Sequence, residues 1–223
     1  MRILVIAAHP DDEVYGMGGT IAKLSSLGHQ VYTLIVTEGC STQYPNSPQI
    51  IEVKKEEALQ CSRILNVKET IFGNLPDMKL DSLPHVEINA VIEKAIKTVK
   101  PDVVYTHHKG DINKDHRLVY ESTLVACRPT PGQCVRKLLS YQVPSSTEWC
   151  GSNAEEIFIP NIFEEIEAFA EVKYQAISVY QTEIREYPHP RSLEYVRVWD
   201  QSTGMKVGLK QAEAFNLIRN TRM

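Results

Sequence analysis

Residues 2–8, RILVIAA, form a short uninterrupted apolar run, and HPDDE follows at once. A run this short and this rich in branched residues suits a strand covered on both faces. The rest of the first half keeps to the same plan. EVYGMGGTIAKLSSLGH carries apolar positions at helical spacing and ends near Gly28, a helix stop. QVYTLIVTEG reads as a second strand, SPQIIEVKKEEALQCSRILN as a second helix, and ETIFGNLPD as a third strand with its loop. LPHVEINAVIEKAIKTVK reads as a third helix and PDVVYTHH as a fourth strand. Strand and helix alternate through about residue 127, which predicts parallel strands joined by right-handed crossovers. The expected fold class is α/β: an open, doubly wound, mostly parallel sheet with helices on both faces.

The second half, 128–223, is less regular. KLLSYQVPSS and EIFIPN are expected strands, and IFEEIEAFAEVKYQAISVYQTEI is expected to be mostly helical. EYPHPRS breaks the pattern with two prolines, LEYVRVWDQST reads as a further helix, and QAEAFNLI as a last strand or helix. With no repeat, low-complexity tract or clear linker, 1–223 is expected to be a single domain.

Composition excludes several function classes. A net charge of −4 argues against non-specific nucleic-acid binding, which needs a basic face. No stretch approaches the ~20 apolar residues of a membrane span. Five cysteines without a CxxC pair fit a reducing compartment better than a disulfide framework. The N-terminal apolar run is cut short by acids, unlike a secretory leader. A cytoplasmic protein is expected, with a small-molecule substrate rather than a nucleic acid or membrane, and with room for a homo-oligomer.

Ligands of doubly wound sheets bind beyond the carboxyl ends of the strands. Polar clusters fall at four such ends: HPDDE, TEGCS, NLPD and THHKGDINKDH. His9 and Asp12 are three apart with Pro10 between, so a helix beginning there can aim both side chains at one point. A neutral imidazole and a carboxylate are ordinary zinc ligands, and catalytic zinc takes three protein ligands and leaves a place for water. His107, His108 and His116, near the fourth strand end, are the candidates for the third ligand. Metal ligation leaves Asp11 free to take a proton from water and pass it to a leaving amine. The competing reading makes Asp11, Asp12 and Glu13 first-turn acids facing a helix dipole. GMGG, Gly16 to Gly19, lacks the G-x-G-x-x-G spacing of a phosphate turn and is better explained by close helix packing.

AAHPDDE followed by G-x-G-G-T-I-A resembles the LmbE-like, PIG-L-type family of zinc-dependent N-acetylglucosaminyl deacetylases. THHKGDINKDHRLVY resembles that family's second motif, and KYQAISVYQTEI, HPRS and GLKQAEAF its carboxy-terminal signatures. The resemblance implies a Rossmann-like fold. It implies that His9, Asp12 and His116 hold Zn2+, with another divalent ion as the alternative, and that Asp11 is the general base and later the general acid. The implied reaction removes an acetyl group from an amino sugar, giving free amine and acetate. Family substrates include glycosyl carriers, nucleotide sugars and thiol-sugar precursors. An amidase acting on a larger thiol-sugar conjugate, or a metal- or carbohydrate-binding protein without turnover, are the alternatives.

The chain departs from the family pattern at Asn113, where many members carry a histidine that helps stabilise the oxyanion. His189 is the expected replacement donor, with His108 as runner-up. Asp115 is expected to orient a ligand from behind, or to cap a helix. Arg191 is expected to pair with a substrate phosphate or carboxylate, or to form a surface ion pair. Glu38 and Asp77 are expected to bind sugar hydroxyls, or to be solvated loop acids. Lys54 and Lys55 stand where the family often has an arginine.

Overall fold

The computed structural model describes residues 1–45, 47 and 49–222. Its first half follows the alternation: β1 (Arg2–Ala7), α1 (Asp12–Ser26), β2 (Gln30–Thr37), α2 (Gln49–Ile64), β3 (Glu69–Leu75), α3 (His85–Val99), β4 (Val103–Thr106) and α4 (Lys114–Ala126). The second helix was expected from Ser47 onward, and Pro48 in that stretch lies outside the described residues, as do Asn46 and Met223. β5 (Lys137–Tyr141), β6 (Ile162–Glu165), α5 (Ala170–Ile177), α6 (Leu193–Met205) and β7 (Ala212–Asn220) follow. One seven-stranded sheet runs in the order β3-β2-β1-β4-β5-β7-β6. β1 to β5 are parallel, while β7 pairs antiparallel with β5 and with β6.

Two expectations for the second half are corrected. EIFIPN forms no strand, and the IFEE that follows it is β6 rather than the start of a helix. β6 pairs residue for residue with β7, Phe163 opposite Ala214 and Glu164 opposite Glu213. Its ladder partners lie on β7, a strand some fifty positions away, and that pairing overrides the local helical spacing. Farther on, α5 stops at Ile177, and the turns after it carry Tyr180 and Glu183 toward the sheet.

Each face of the sheet has its own core. α1, α2 and α5 pack on one face, with Val14, Ile21, Ala58 and Tyr174 against Ile3, Val5 and Ile35. α3 and α4 pack on the other, with Ile88, Ile92 and Val119 against Leu4, Ile6 and Leu34. The chain leaves β1 toward one face and β4 toward the other, so β1 and β4 flank the topological switch point where such sheets open a crevice. Gly16 sits in α1 because a Cβ there would overlap the Tyr141 ring. That ring is pinned by its hydroxyl, which donates to the Ile6 carbonyl at 2.8 Å.

Candidate active site

β1 ends at Ala7, and within five residues α1 begins, so His9, Asp11 and Asp12 lie on the turn that joins them. Asp11 takes φ 110°, ψ −28°, the left-handed side of the map, which is uncommon for a residue with a Cβ. The turn is held by short contacts: His9 N–H donates to Asp12 Oδ2 at 2.8 Å, and Asp11 N–H donates to Glu13 Oε2 at 3.1 Å. Glu13 is itself fixed from behind by the Tyr180 hydroxyl, which donates to Oε1 at 2.6 Å. Burial, against that hydrogen bond, lifts the Glu13 pKa to about 7. Gly39 permits the next loop to cross this turn, because it has φ +71° and a Cβ would overlap the Pro10 ring.

Across the crevice, α4 begins with Asn113 as its N-cap; Asn113 Oδ1 accepts the Asp115 N–H at 2.9 Å. That cap places His116 on the first turn, facing β1. His9 Nδ1 then lies 3.2 Å from His116 Nε2 and 3.3 Å from Asp12 Oδ2, and His116 Nε2 lies 3.2 Å from the same oxygen. These edges form a nearly equilateral N, N, O triangle. Bonds of about 2.0–2.1 Å to a tetrahedral zinc set ligand atoms roughly 3.3–3.4 Å apart, so the triangle has the size the ion needs. Buried carboxylate oxygens on Asp12, Asp11 and Asp77 lack a partner, Asp12 being a corner of the triangle and the other two lining the adjoining cleft. Buried anions left this way call for a cation. The donor set therefore fits a divalent metal.

The far side of each imidazole is held by a carboxylate. His9 Nε2 donates to Asp115 Oδ2 at 3.2 Å, with Asp77 Oδ1 also 3.5 Å away. His116 Nδ1 lies 3.0 Å from Asp111 Oδ2. With a metal bound, each pairing would keep the ring proton on the far nitrogen and leave the near one free to ligate. Asp111 is fixed in turn by the hydroxyls of Ser146 and Thr147 and by the Asn113 N–H at 2.8 Å. Burial works against charge on His116, but Asp12 and Asp111 outweigh it and raise its pKa to about 9. Burial likewise opposes charge on Asp111, and His116 with the two hydroxyls holds it well below the usual carboxylate range.

Beside the triangle lies a cleft of about 60 Å³ lined by His9, Asp11, Lys54, Asp77, Asn113, Glu183 and Arg191, among others. Asp11 is buried, and burial lifts its pKa well above the usual value against the opposing pull of Arg191, whose Nη1 lies 2.7 Å from Oδ2. Asn113 Nδ2 points to the thioether of Met78 at 3.4 Å, a weak acceptor.

Other expected residues lie elsewhere or do other work. His107 accepts the Ala8 N–H at 2.8 Å through Nε2 and stacks on His116 with ring centroids 3.9 Å apart. Burial lowers its pKa to about 3, which keeps it neutral. His108 turns away to the Glu156 carbonyl at 2.8 Å. His189 Nδ1 accepts the Arg191 N–H at 3.0 Å, and its ring stands edge-on to Trp149, so neither expected oxyanion donor lines the cleft. Glu38 accepts the backbone N–H groups of Cys40 and Asp77 at 3.1 and 3.2 Å, which ties two loops together. Sequence reasoning passed over Asp111, Glu183 and Tyr180. Asp111 is the first acid after β4, and the other two belong to YQTEI, whose likeness to a family signature was the only available signal.

Two imidazoles and one carboxylate within metal-binding distance of one another, with a further carboxylate adjacent, form a candidate metal site at the switch point of a doubly wound sheet. Residues 4–127 match the profile of the PIG-L family, GlcNAc-PI de-N-acetylase. The uncharacterized deacetylase YaiS of Escherichia coli K12 is 33% identical over 189 residues, covering 81% of this chain and 90% of its own. The diacetylchitobiose deacetylase of Thermococcus kodakarensis is 25% identical, over 97% of this chain and 83% of its own. The conserved protein TT1542 from Thermus thermophilus superimposes with TM-score 0.78 at 24% identity, over 99% of this chain and 96% of that one. The chain belongs to the PIG-L, LmbE-like family of deacetylases.

Proposed function

We propose that the protein is a zinc-dependent N-deacetylase that hydrolyses the acetamido group of an N-acetylglucosamine-type sugar, releasing acetate and the free amine. One observation carries the reading: a ligand triangle of zinc dimensions shares a cleft with a buried carboxylate, Asp11, that ligates nothing. His9, Asp12 and His116 would hold the metal; N and O donors also accept other divalent ions. When bound there, zinc supplies Lewis-acid polarisation of the amide carbonyl and a lowered pKa for the attacking water.

The chain's own residues do the rest. Asp11 takes the proton of the attacking water as its oxygen bonds to the acetyl carbon. As the C–N bond breaks, Asp11 returns that proton to the departing nitrogen, and acetate and amine leave. Asn113 Nδ2, held only by a thioether, is the cleft donor best placed to meet the carbonyl oxygen as charge develops there. Asp115 and Asp111 orient the two imidazoles. Asp77, with one oxygen unpartnered, is the acceptor for a sugar hydroxyl. The relatives point to the same substrates, one being named a diacetylchitobiose deacetylase. Among the described residues no helix is long and apolar enough to cross a membrane. All five cysteines are free thiols, which supports a reducing, cytoplasmic setting.

The test is acetate release from N-acetylglucosamine and N,N'-diacetylchitobiose at defined zinc loading, with and without chelator. Release that stops on chelation and returns with zinc is expected. Zinc-loaded protein that frees no acetate from any acetylated amino sugar would sink the reading.

A further inference from the structure

The cleft contains two cations, and both are already paired within the protein. Lys54, on α2, is only 2% exposed, and its Nζ is paired with Glu183 Oε1. The other oxygen of Glu183 takes Arg191 Nη1 at 2.7 Å, and the same Nη1 lies 2.7 Å from Asp11 Oδ2. Lys54, Glu183, Arg191 and Asp11 thus form a closed row of alternating charge along the cleft. Arg191 Nε is also occupied, donating to Ser145 Oγ at 3.0 Å. Arg185, the next cation nearby, turns its Nη1 to the carbonyls of Thr182 and Ile184. Asp77, an acid with one buried oxygen unpartnered, also lines the cleft. Glu183 and Asp11 balance the two cations that line the cleft, so an anion on the substrate would meet three carboxylates against two cations whose charge is already matched.

Among the residues lining the cleft, Met78, 47% exposed, offers an apolar surface that suits the face of a sugar ring and offers nothing to a phosphate.

We infer that Glu183 is a specificity-determining residue: by neutralising Lys54 and Arg191 it restricts the cleft to uncharged acetamido saccharides and excludes those bearing a phosphate or carboxylate near the acetylated ring. The inference rests on the deacetylase reading above. It makes a reciprocal demand. Without the Glu183 charge, Lys54 is a buried, unpaired cation on the cleft wall, and the same pocket becomes an anion receptor.

The experiment compares zinc-loaded wild type, Glu183→Gln, and the double variant Lys54→Met with Glu183→Gln. The readouts are acetate release from N-acetylglucosamine and from its 6-phosphate, and calorimetric binding of inorganic phosphate. Any affinity of phosphate for the metal is common to all three proteins and cancels. Wild type should favour the neutral sugar at least tenfold in kcat/KM. E183Q should move that ratio at least tenfold toward the phosphate ester and bind phosphate at least tenfold more tightly. The double variant should return both measures toward wild type. A wild type that prefers the 6-phosphate, or a folded E183Q with unchanged ratio and unchanged phosphate affinity, overturns the inference. If no protein releases acetate, the deacetylase reading fails, while the phosphate titration still decides whether Glu183 cancels the cations. Should E183Q not fold, Lys54→Met alone serves: it leaves Glu183 in excess and should weaken phosphate binding and sharpen the neutral preference, and the opposite result overturns the inference.

Discussion

Replacing Asp111 by Asn is nearly isosteric and tests how the metal ligands are oriented. Asp111 Oδ2 lies 3.0 Å from His116 Nδ1 and takes the Thr147 hydroxyl at 2.7 Å, while Oδ1 takes the Asn113 N–H at 2.8 Å and the Ser146 hydroxyl. All four partners donate, so the site needs two acceptor oxygens. Asn supplies one. If its amide nitrogen faces His116, two N–H groups oppose each other, and the imidazole must move its proton to Nε2, the nitrogen of the ligand triangle. If the nitrogen faces the other way, the Asn113 N–H loses its acceptor and the cap of α4 loosens. Losing a carboxylate behind a ligating histidine costs about 10–100-fold in metal affinity, or roughly 1.4–2.7 kcal/mol. The lost charge-assisted hydrogen bond removes about 1.5–3 kcal/mol of folding stability. Zinc affinity by chelator competition and unfolding of the metal-free protein measure the two effects separately. Zinc binding by folded D111N as tight as wild type would refute the claim that Asp111 sets the His116 tautomer.

Other substitutions separate roles around the same turn. Asp11→Asn should keep zinc affinity near wild type and lower kcat by about 10²–10⁴-fold, the usual worth of a positioned proton carrier; a variant with most of its turnover intact excludes Asp11 as the base. Tyr180→Phe removes the 2.6 Å donor to Glu13 and should destabilise by about 1–3 kcal/mol, with kcat falling as the Asp11 backbone loosens and zinc affinity holding; equilibrium unfolding and steady-state kinetics check it. Gly16→Ala forces a methyl into the Tyr141 ring and should cost about 1–3 kcal/mol in a thermal melt. Burial pushes the Cys127 thiol up to about 12, so a thiol reagent at pH 8 should label half-exposed Cys150 quickly and leave Cys127 unmodified until the protein unfolds.

The half of the fold that could be read from the sequence is the half built from local repetition. Each βα unit carries its own signal, a short branched run and then a helical stripe, and parallel crossovers follow from that order alone. β6 carried no such signal. IFEE contains one helical turn's worth of apolar spacing, and only the free edge of β7 makes it a strand. Local pattern cannot show a partner that lies some fifty residues farther along the chain.

The site divides along the same line. His9, Asp11 and Asp12 share one turn, and His116 is marked by the dense polar stretch around it, so the residues of the proposed site could be picked out from the sequence. The groups that support them were not singled out: Tyr180 behind Glu13 and Glu183 between Lys54 and Arg191 arrive from a distant segment, while Asp111, behind His116, is one acid among several in the same polar stretch. The importance of each comes from what it opposes. Position in the turn, not residue type, also separates the two neighbouring aspartates. Asp12 enters α1 with helical geometry and swings its oxygen onto the two imidazoles. Asp11, one residue earlier, takes a positive φ that the Glu13 carboxylate secures through the Asp11 N–H, which turns its side chain to the cleft and Arg191 instead. Glu13 is absent from the cleft lining, yet its bond to that one N–H turns two adjacent, chemically identical side chains to different surroundings, which the proposed division between metal holding and proton transfer requires.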